Sequence, residues 1–188
     1  MTPPAFRVSI RYPVASDEAE FTALRRANRD FLEPWEPIPP AGHTPFTTDD
    51  FELFLASAKS ETRRRFLILH SPSNRIIGQC SLGNIVRGPL QQAFLGYWIA
   101  RDSARQGFMF EALQQLLALA FGELLLHRIE ANIQPHNAPS IRTALNLGFR
   151  LEGFSPRYLQ IAGAWTDHNR YATTAEEFWA RYPALAPS

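Results

Sequence analysis

The chain has 188 residues, 45% apolar and 20% charged, and its 19 Lys+Arg against 18 Asp+Glu leave a formal net charge of +1. That length carries one domain with a sizeable core, and the near-neutral balance removes the electrostatic case for nucleic acid or an anionic membrane, either of which needs a basic stripe or patch. The opening "MTPPAFRVSI" lacks the regions of a signal peptide, no apolar run reaches the ~18 residues of a membrane span, and Cys80 as single cysteine excludes an intramolecular disulfide, so the expectation is a cytoplasmic protein, one domain over 1–188 with its core at 6–175 and a flexible tail at 183–188.

Alternation in "AFRVSIRYPV" (5–14) predicts a strand. Ser16 is placed to cap a helix to about Asn28, with Phe21, Leu24 and Ala27 on one face. Five prolines then fall between Pro34 and Pro45. Proline fixes φ and lacks an N–H, so this density predicts a stiff extended loop without helix. Thr47, with Asp50 three residues on, predicts the start of a second helix to about Ser60, and Arg63-Arg64-Arg65 reads as its solvated end.

From Phe66 the pattern changes to short apolar runs. "FLILH" (66–70), "IIGQCSLGNIV" (76–86) and "QAFLGYWIA" (92–100) predict three strands of an antiparallel meander, with turns at Ser71–Asn74 and Gly88-Pro89. Cys80 falls inside the second as a core residue rather than a nucleophile. A helix follows Gly107, with Phe110, Leu113, Leu117, Ala120, Phe121 and Leu124 as its buried stripe. "RIEANIQ" (128–134) predicts a strand, and 137–149 a short helix closed by Gly148. Two more strands flank Gly163, at 150–160 and 165–173. The order β-α-α-β-β-β-α-β-α-β-β describes an α+β domain with a mixed sheet.

Chemistry gathers around Gly107. A strand that runs through a polar loop into a helix start makes an anion site, because the first helical N–H groups have no intrahelical partner and the dipole favours negative charge there. Arg105 adds a cation, and Gly107 without a Cβ lets a ligand phosphate approach the main chain. Asn137 and Ser140 sit at the first turn of the next helix, again after a strand. Two such openings side by side suit a long ligand with a diphosphate at one end. Five histidines show no ligand spacing, so no metal is expected.

The segments "NRDFLEPWEP" (28–37), "GNIVRG" (83–88), "LGYWI" (95–99), "GFMFEAL" (107–113), "HRIEANIQPHN" (127–137), "LGFRLEG" (147–153) and "GAWTDH" (163–168) carry a resemblance spanning about residues 6–173. In that order the chain resembles the GNAT superfamily of N-acetyltransferases, and within it the RimJ-like ribosomal-protein-alanine N-acetyltransferases. The resemblance implies a mixed, mostly antiparallel sheet of about seven strands with helices on both faces, which binds acetyl-coenzyme A as cosubstrate. It assigns the phosphate loop to Arg105, Gln106, Gly107, Phe108 and Met109, with Ala104 and Met109 departing from the family's first and last residues. It also implies that Asn137 contacts the cofactor, that the main-chain N–H near Ile99 meets the oxyanion, and that Ser140 or Tyr158 returns a proton to the thiolate. Phe31, Trp35, Glu36 and Tyr97 are the expected acceptor wall.

The positions that carry a base in some relatives are Asn132 and Leu159 here. Glu130 shares a face with Asn132 only if no bulge intervenes, and Glu33 and Glu36 lie on the loop. A free α-amine of pKa ~8 is about a tenth neutral at pH 7, a deficit of ~1.4 kcal/mol, whereas a lysine amine at ~10.4 faces ~4.6 kcal/mol. A site without an evident carboxylate base therefore favours a protein N-terminus, with a ribosomal protein as the candidate partner. The alternatives are a small-molecule amine (polyamine, aminoglycoside or amino-acid-like toxin) and a non-catalytic acyl-coenzyme A-binding module. The sequence leaves the oligomeric state open.

Overall fold

The computed structural model describes residues 5–38 and 48–186, with side chains of the second segment from Asp50 onward. Eight strands form one sheet: β1 (Val8–Arg11), β2 (Lys59–Ser60), β3 (Arg63–His70), β4 (Arg75–Val86), β5 (Gln92–Ile99), β6 (Arg128–Ile133), β7 (Arg150–Ile161) and β8 (Ala164–Thr174). Their order is β1-β3-β4-β5-β6-β8-β7, with the two-residue β2 paired to β3. The β5–β6 pair is parallel and the other pairs are antiparallel.

Helices cover both faces, which explains why β3 reads as an unbroken apolar run. Phe66 and Ile68 face one core with α4 (Phe108–Gly122), α5 (Ala138–Leu147) and α6 (Ala175–Arg181); Leu67 and Leu69 face the other, with Phe21 of α1 (Glu18–Ala27) and Phe51 and Phe54 of α3 (Thr48–Ala56). The long buried stripe of α4, from Phe108 through Leu113 and Leu117 to Phe121, makes it the central helix of the first layer. Gly148 closes α5 in the left-handed region at φ 96°, a conformation that costs glycine nothing.

Several local expectations are corrected. Ser16 is not the cap. A 3-10 turn at Ala15–Asp17 precedes α1, and the Asp17 carboxylate accepts the Val14 N–H at 2.8 Å and both arms of Arg11 at 2.7 and 2.6 Å. The proline-dense loop does contain helix: α2 (Arg29–Leu32) continues into a 3-10 turn at Glu33–Trp35. Pro34 sits in the first turn, where its missing N–H has no partner to lose. Helix α3 ends at Ala56, short of Ser60, and Arg63 to Arg65 lie on β3. Arg65 covers the Phe54 ring with its guanidinium 5.3 Å from the centroid, and burial brings it down to about 10. The expected tail is described as far as Ala186. Phe178 of α6 is 1% exposed, and Leu185, in a 3-10 turn at Pro183–Leu185, packs on the same core. The expected Thr47 cap and the prolines from Pro39 to Pro45 lie outside the described residues.

Candidate active site

β5 and β6 pair over three positions only, Gln92 with Arg128 through Phe94 with Glu130, and then part. The Ala100 N–H points at β4, donating to the Ile77 carbonyl at 2.8 Å. Strand alternation therefore turns the N–H groups of Tyr97 and Ile99 toward the gap. A cleft of about 350 Å³ opens there, floored by Gly96, Tyr97 and Trp98 on one strand and Asn132 to Gln134 on the other. Tyr97 lines it; Ile99 lies beyond the lining residues.

At the end of β5 the chain makes a 3-10 turn at Arg101–Ser103, pinned by the Asn28 side chain, whose Oδ1 accepts the Arg101 N–H at 2.8 Å. Arg105 and Gly107 both adopt positive φ, 62° and 84°, which coils the loop against the start of α4. The first α4 hydrogen bond runs from Glu111 N to Gly107 O at 3.1 Å, so the N–H groups of Phe108, Met109 and Phe110 have no carbonyl to reach. Phe108 and Met109 send their side chains into the core and offer a ligand only main chain. That fits a diphosphate, which unpaired N–H groups and the dipole hold without side-chain help. Arg105 and Gln106 are exposed beside them. Sequence reasoning missed Arg7, whose guanidinium donates to the Gln106 carbonyl at 2.9 Å and to Glu111, bracing the loop from β1; its 104-residue separation from Glu111 hides the pairing.

The opening of α5 reaches the cleft from the opposite side. Asn137 is its cap, with Oδ1 accepting the Ser140 N–H at 3.3 Å. Ser140 Oγ donates to the Tyr97 hydroxyl at 2.8 Å, and that hydroxyl donates to the Ser140 carbonyl at 3.2 Å. Burial pushes the Tyr97 phenol up to about 12, against the opposing effect of Ser140, so it stays protonated at neutral pH. Tyr158 does not line the cleft; it meets His168 edge-on at 6.0 Å between centroids.

Trp35, Glu36 and Pro37 form the outer wall. The Glu36 carbonyl accepts the Ala162 N–H at 2.9 Å, tying this wall to the β7–β8 turn. Both Glu36 carboxylate oxygens are held by Arg25, at 2.8 and 2.6 Å. Phe31 lies apart from the cleft lining, under the Arg101 guanidinium at 5.2 Å. Glu33 pairs with Arg29 on the surface. The β6 register is continuous, so Glu130 does share a face with Asn132, but Arg128 holds it at 2.9 Å and it is not among the lining residues. Among the described residues no group of three or more His, Cys, Asp and Glu is placed to hold a metal, and no helix is long and apolar enough to cross a membrane.

A sheet split beside an open helix N-terminus, with a half-buried hydroxyl pair at the cleft, suits transfer from an acylated coenzyme to an acceptor. Residues 7–150 match the family described as Acetyltransferase (GNAT) domain. The probable N-acetyltransferase YjcK of Bacillus subtilis is 33% identical over 86% of this chain and 90% of its own. The [ribosomal protein uS5]-alanine N-acetyltransferase of Escherichia coli is 34% identical over 80% and 79%. The structure of Mycobacterium smegmatis RimJ in complex with CoA-disulfide superimposes with a TM-score of 0.84 at 33% identity, covering 94% of this chain and 88% of that one. The chain belongs to the GNAT acetyltransferases and is RimJ-like: an N-acetyltransferase whose cosubstrate is acetyl-coenzyme A.

Proposed function

We propose that the acceptor is the N-terminal α-amine of a protein, as the name of the Escherichia coli relative suggests for that enzyme, and that the reaction takes place in the cytoplasm. The observation that carries this reading is the charge of the cleft. Glu36 is the carboxylate among its lining residues, and Arg25 neutralises it. A polyamine needs several free carboxylates along its length, whereas a peptide N-terminus needs one amine seat and a wall on which backbone and a small side chain can lie. Trp35 and Pro37 offer such a wall.

In this reading the main chain at Arg105, Gln106, Gly107, Phe108 and Met109 holds the diphosphate, and Asn137 borders the pantetheine side. The N–H groups of Tyr97 and Ile99 face the developing oxyanion, a contribution that stabilises the transition state more than the substrate. The hydrogen-bonded pair Ser140–Tyr97 supplies the proton that the departing thiolate takes up.

The test is an acceptor panel with acetyl-coenzyme A, reading thiol release. Short peptides with free N-terminal alanine or serine should turn over, and the same peptides blocked at the N-terminus but carrying lysine should not. Trp35→Ala should raise KM for peptide and leave calorimetric affinity for acetyl-coenzyme A unchanged. Faster turnover with spermidine or an aminoglycoside than with every free-N-terminus peptide would defeat the reading.

A further inference from the structure

The cleft carries two polar atoms that find no hydrogen-bond partner among the described residues. Asn132 Oδ1 is buried and accepts no hydrogen bond among the described residues. His168 is 2% exposed, and its Nδ1 lies 3.0 Å from the Thr166 carbonyl oxygen. A carbonyl only accepts, so Nδ1 carries a hydrogen, and in the neutral imidazole Nε2 is then the acceptor. The Nδ1 contact is the one hydrogen bond of the ring among the described residues, and Nε2 is not sealed from solvent as Asn132 Oδ1 is. β6 and β8 pair without a break, Asn132 opposite Arg170 and Ile133 opposite Asn169. Alternation puts Asn132 and His168 on one face of the sheet, and both line the cleft where β5 leaves β6. Two unpartnered acceptors call for a ligand rich in N–H donors, and a primary ammonium has three.

We propose that Asn132 Oδ1 and His168 Nε2 seat the acceptor amine, and that His168 is the base that removes its proton. This rests on the cleft being the amine site. The bound ammonium gives one proton to Nε2, leaving a neutral amine and an imidazolium. The amine lone pair then forms the N–C bond to the thioester carbonyl carbon. The C–S bond breaks and sulfur leaves with its electron pair. The second proton passes from the acylated nitrogen by way of the Ser140–Tyr97 hydroxyls to the thiolate, and the imidazolium returns its proton to solvent. The groups around His168 leave this role open. They are Arg170 on its own strand, the Tyr158 ring from β7, Asn132 and Gln134 from β6, and across the cleft Tyr97 and the Glu36–Arg25 pair.

His168→Asn keeps an amide N–H near the position of Nδ1–H and removes the base. Its kcat/KM for a free-N-terminus peptide at pH 7 should fall ~10²–10⁴-fold. The deficit should narrow toward pH 9, where more of an amine of pKa ~8 is already neutral, and calorimetric affinity for acetyl-coenzyme A should be unchanged. Asn132→Ala should raise KM for peptide about tenfold with kcat little altered, the loss expected for one hydrogen bond to a charged donor. A readout independent of turnover is imidazole ¹⁵N NMR at pH 8: His168 should show a protonated Nδ1 and a bare Nε2, and the Nε2 resonance should move when peptide is added with coenzyme A. Wild-type turnover and pH profile in folded His168→Asn, or an Nε2-protonated tautomer, overturns the proposal. If peptides fail but a small amine is acetylated with the same dependence on His168 and Asn132, the N-terminal reading falls and the seat stands.

Discussion

Gly107 stands at φ 84° as the cap of α4, and a Cβ built there would lie 3.1 Å from Arg7 Nη2. A side chain at this residue meets two costs: left-handed backbone that non-glycine residues resist, and an obstruction over the unpaired N–H groups of Phe108 and Met109. Gly107→Glu adds a negative charge at the helix N-terminus, where the diphosphate is to bind. It should therefore lower affinity for acetyl-coenzyme A by more than tenfold in calorimetry while leaving the circular dichroism spectrum intact. Unchanged affinity in the folded variant would reassign the phosphate loop. At this scale the sequence was informative wherever a residue acts through backbone or its immediate neighbours: Gly107 before α4, and Asn137 and Ser140 at the opening of α5. It was silent on His168, because the ring's place in the cleft depends on β8 lying beside β6, far apart in sequence. It named Tyr158 without showing that this ring stays out of the cleft lining, because the left-handed Arg157 (φ 48°) and the β7 register shift after Ser155 change which side chains reach the cleft.

The strands were legible because short apolar runs bounded by turn residues mark them even when both faces are covered, as in β3. Elements that depend on distant partners were not. Helix α6 follows a strand with no glycine or proline between them, and the capping box formed by Thr174 and Glu177 reads in sequence as continuing strand and charge. Its anchor is Phe178, 1% exposed, with ring centroids 5.4 Å from Phe121, 4.9 Å from Trp179 and 5.1 Å from Tyr182. Truncating such a ring leaves a cavity that close packing cannot fill. Phe178→Ala should cost about 3–5 kcal/mol in urea unfolding. A loss below about 1 kcal/mol would mean that α6 is an appendage rather than part of the core.

For the whole molecule, stability and chemistry pull pH in the same direction up to a limit. The Arg11 guanidinium, with the Val14 N–H, holds Asp17 below the usual carboxylate range, and Arg128 does the same for Glu152. Both pKa values are depressed by folding. Their contribution is therefore complete above the unfolded value of ~4 and is lost as pH falls through the folded values. At the other end, burial raises the Cys80 thiol and lifts the Tyr97 phenol to about 12. Those contributions are complete below the unfolded values of ~8.5 and ~10 and are lost as pH rises above them. The urea midpoint should hence be flat from about pH 5 to pH 8 and fall on both sides. Activity toward an α-amine of pKa ~8 should climb across that plateau, so the working range is capped by the ionisation of Cys80 and Tyr97 rather than by the amine. Asp17→Asn separates the two limbs. It weakens the Arg11 pairing and the Val14 contact, so it should lower the plateau by roughly 1–3 kcal/mol and flatten the acid limb, leaving the alkaline limb in place. An acid limb as steep in Asp17→Asn as in the parent would mean that other carboxylates govern unfolding at low pH.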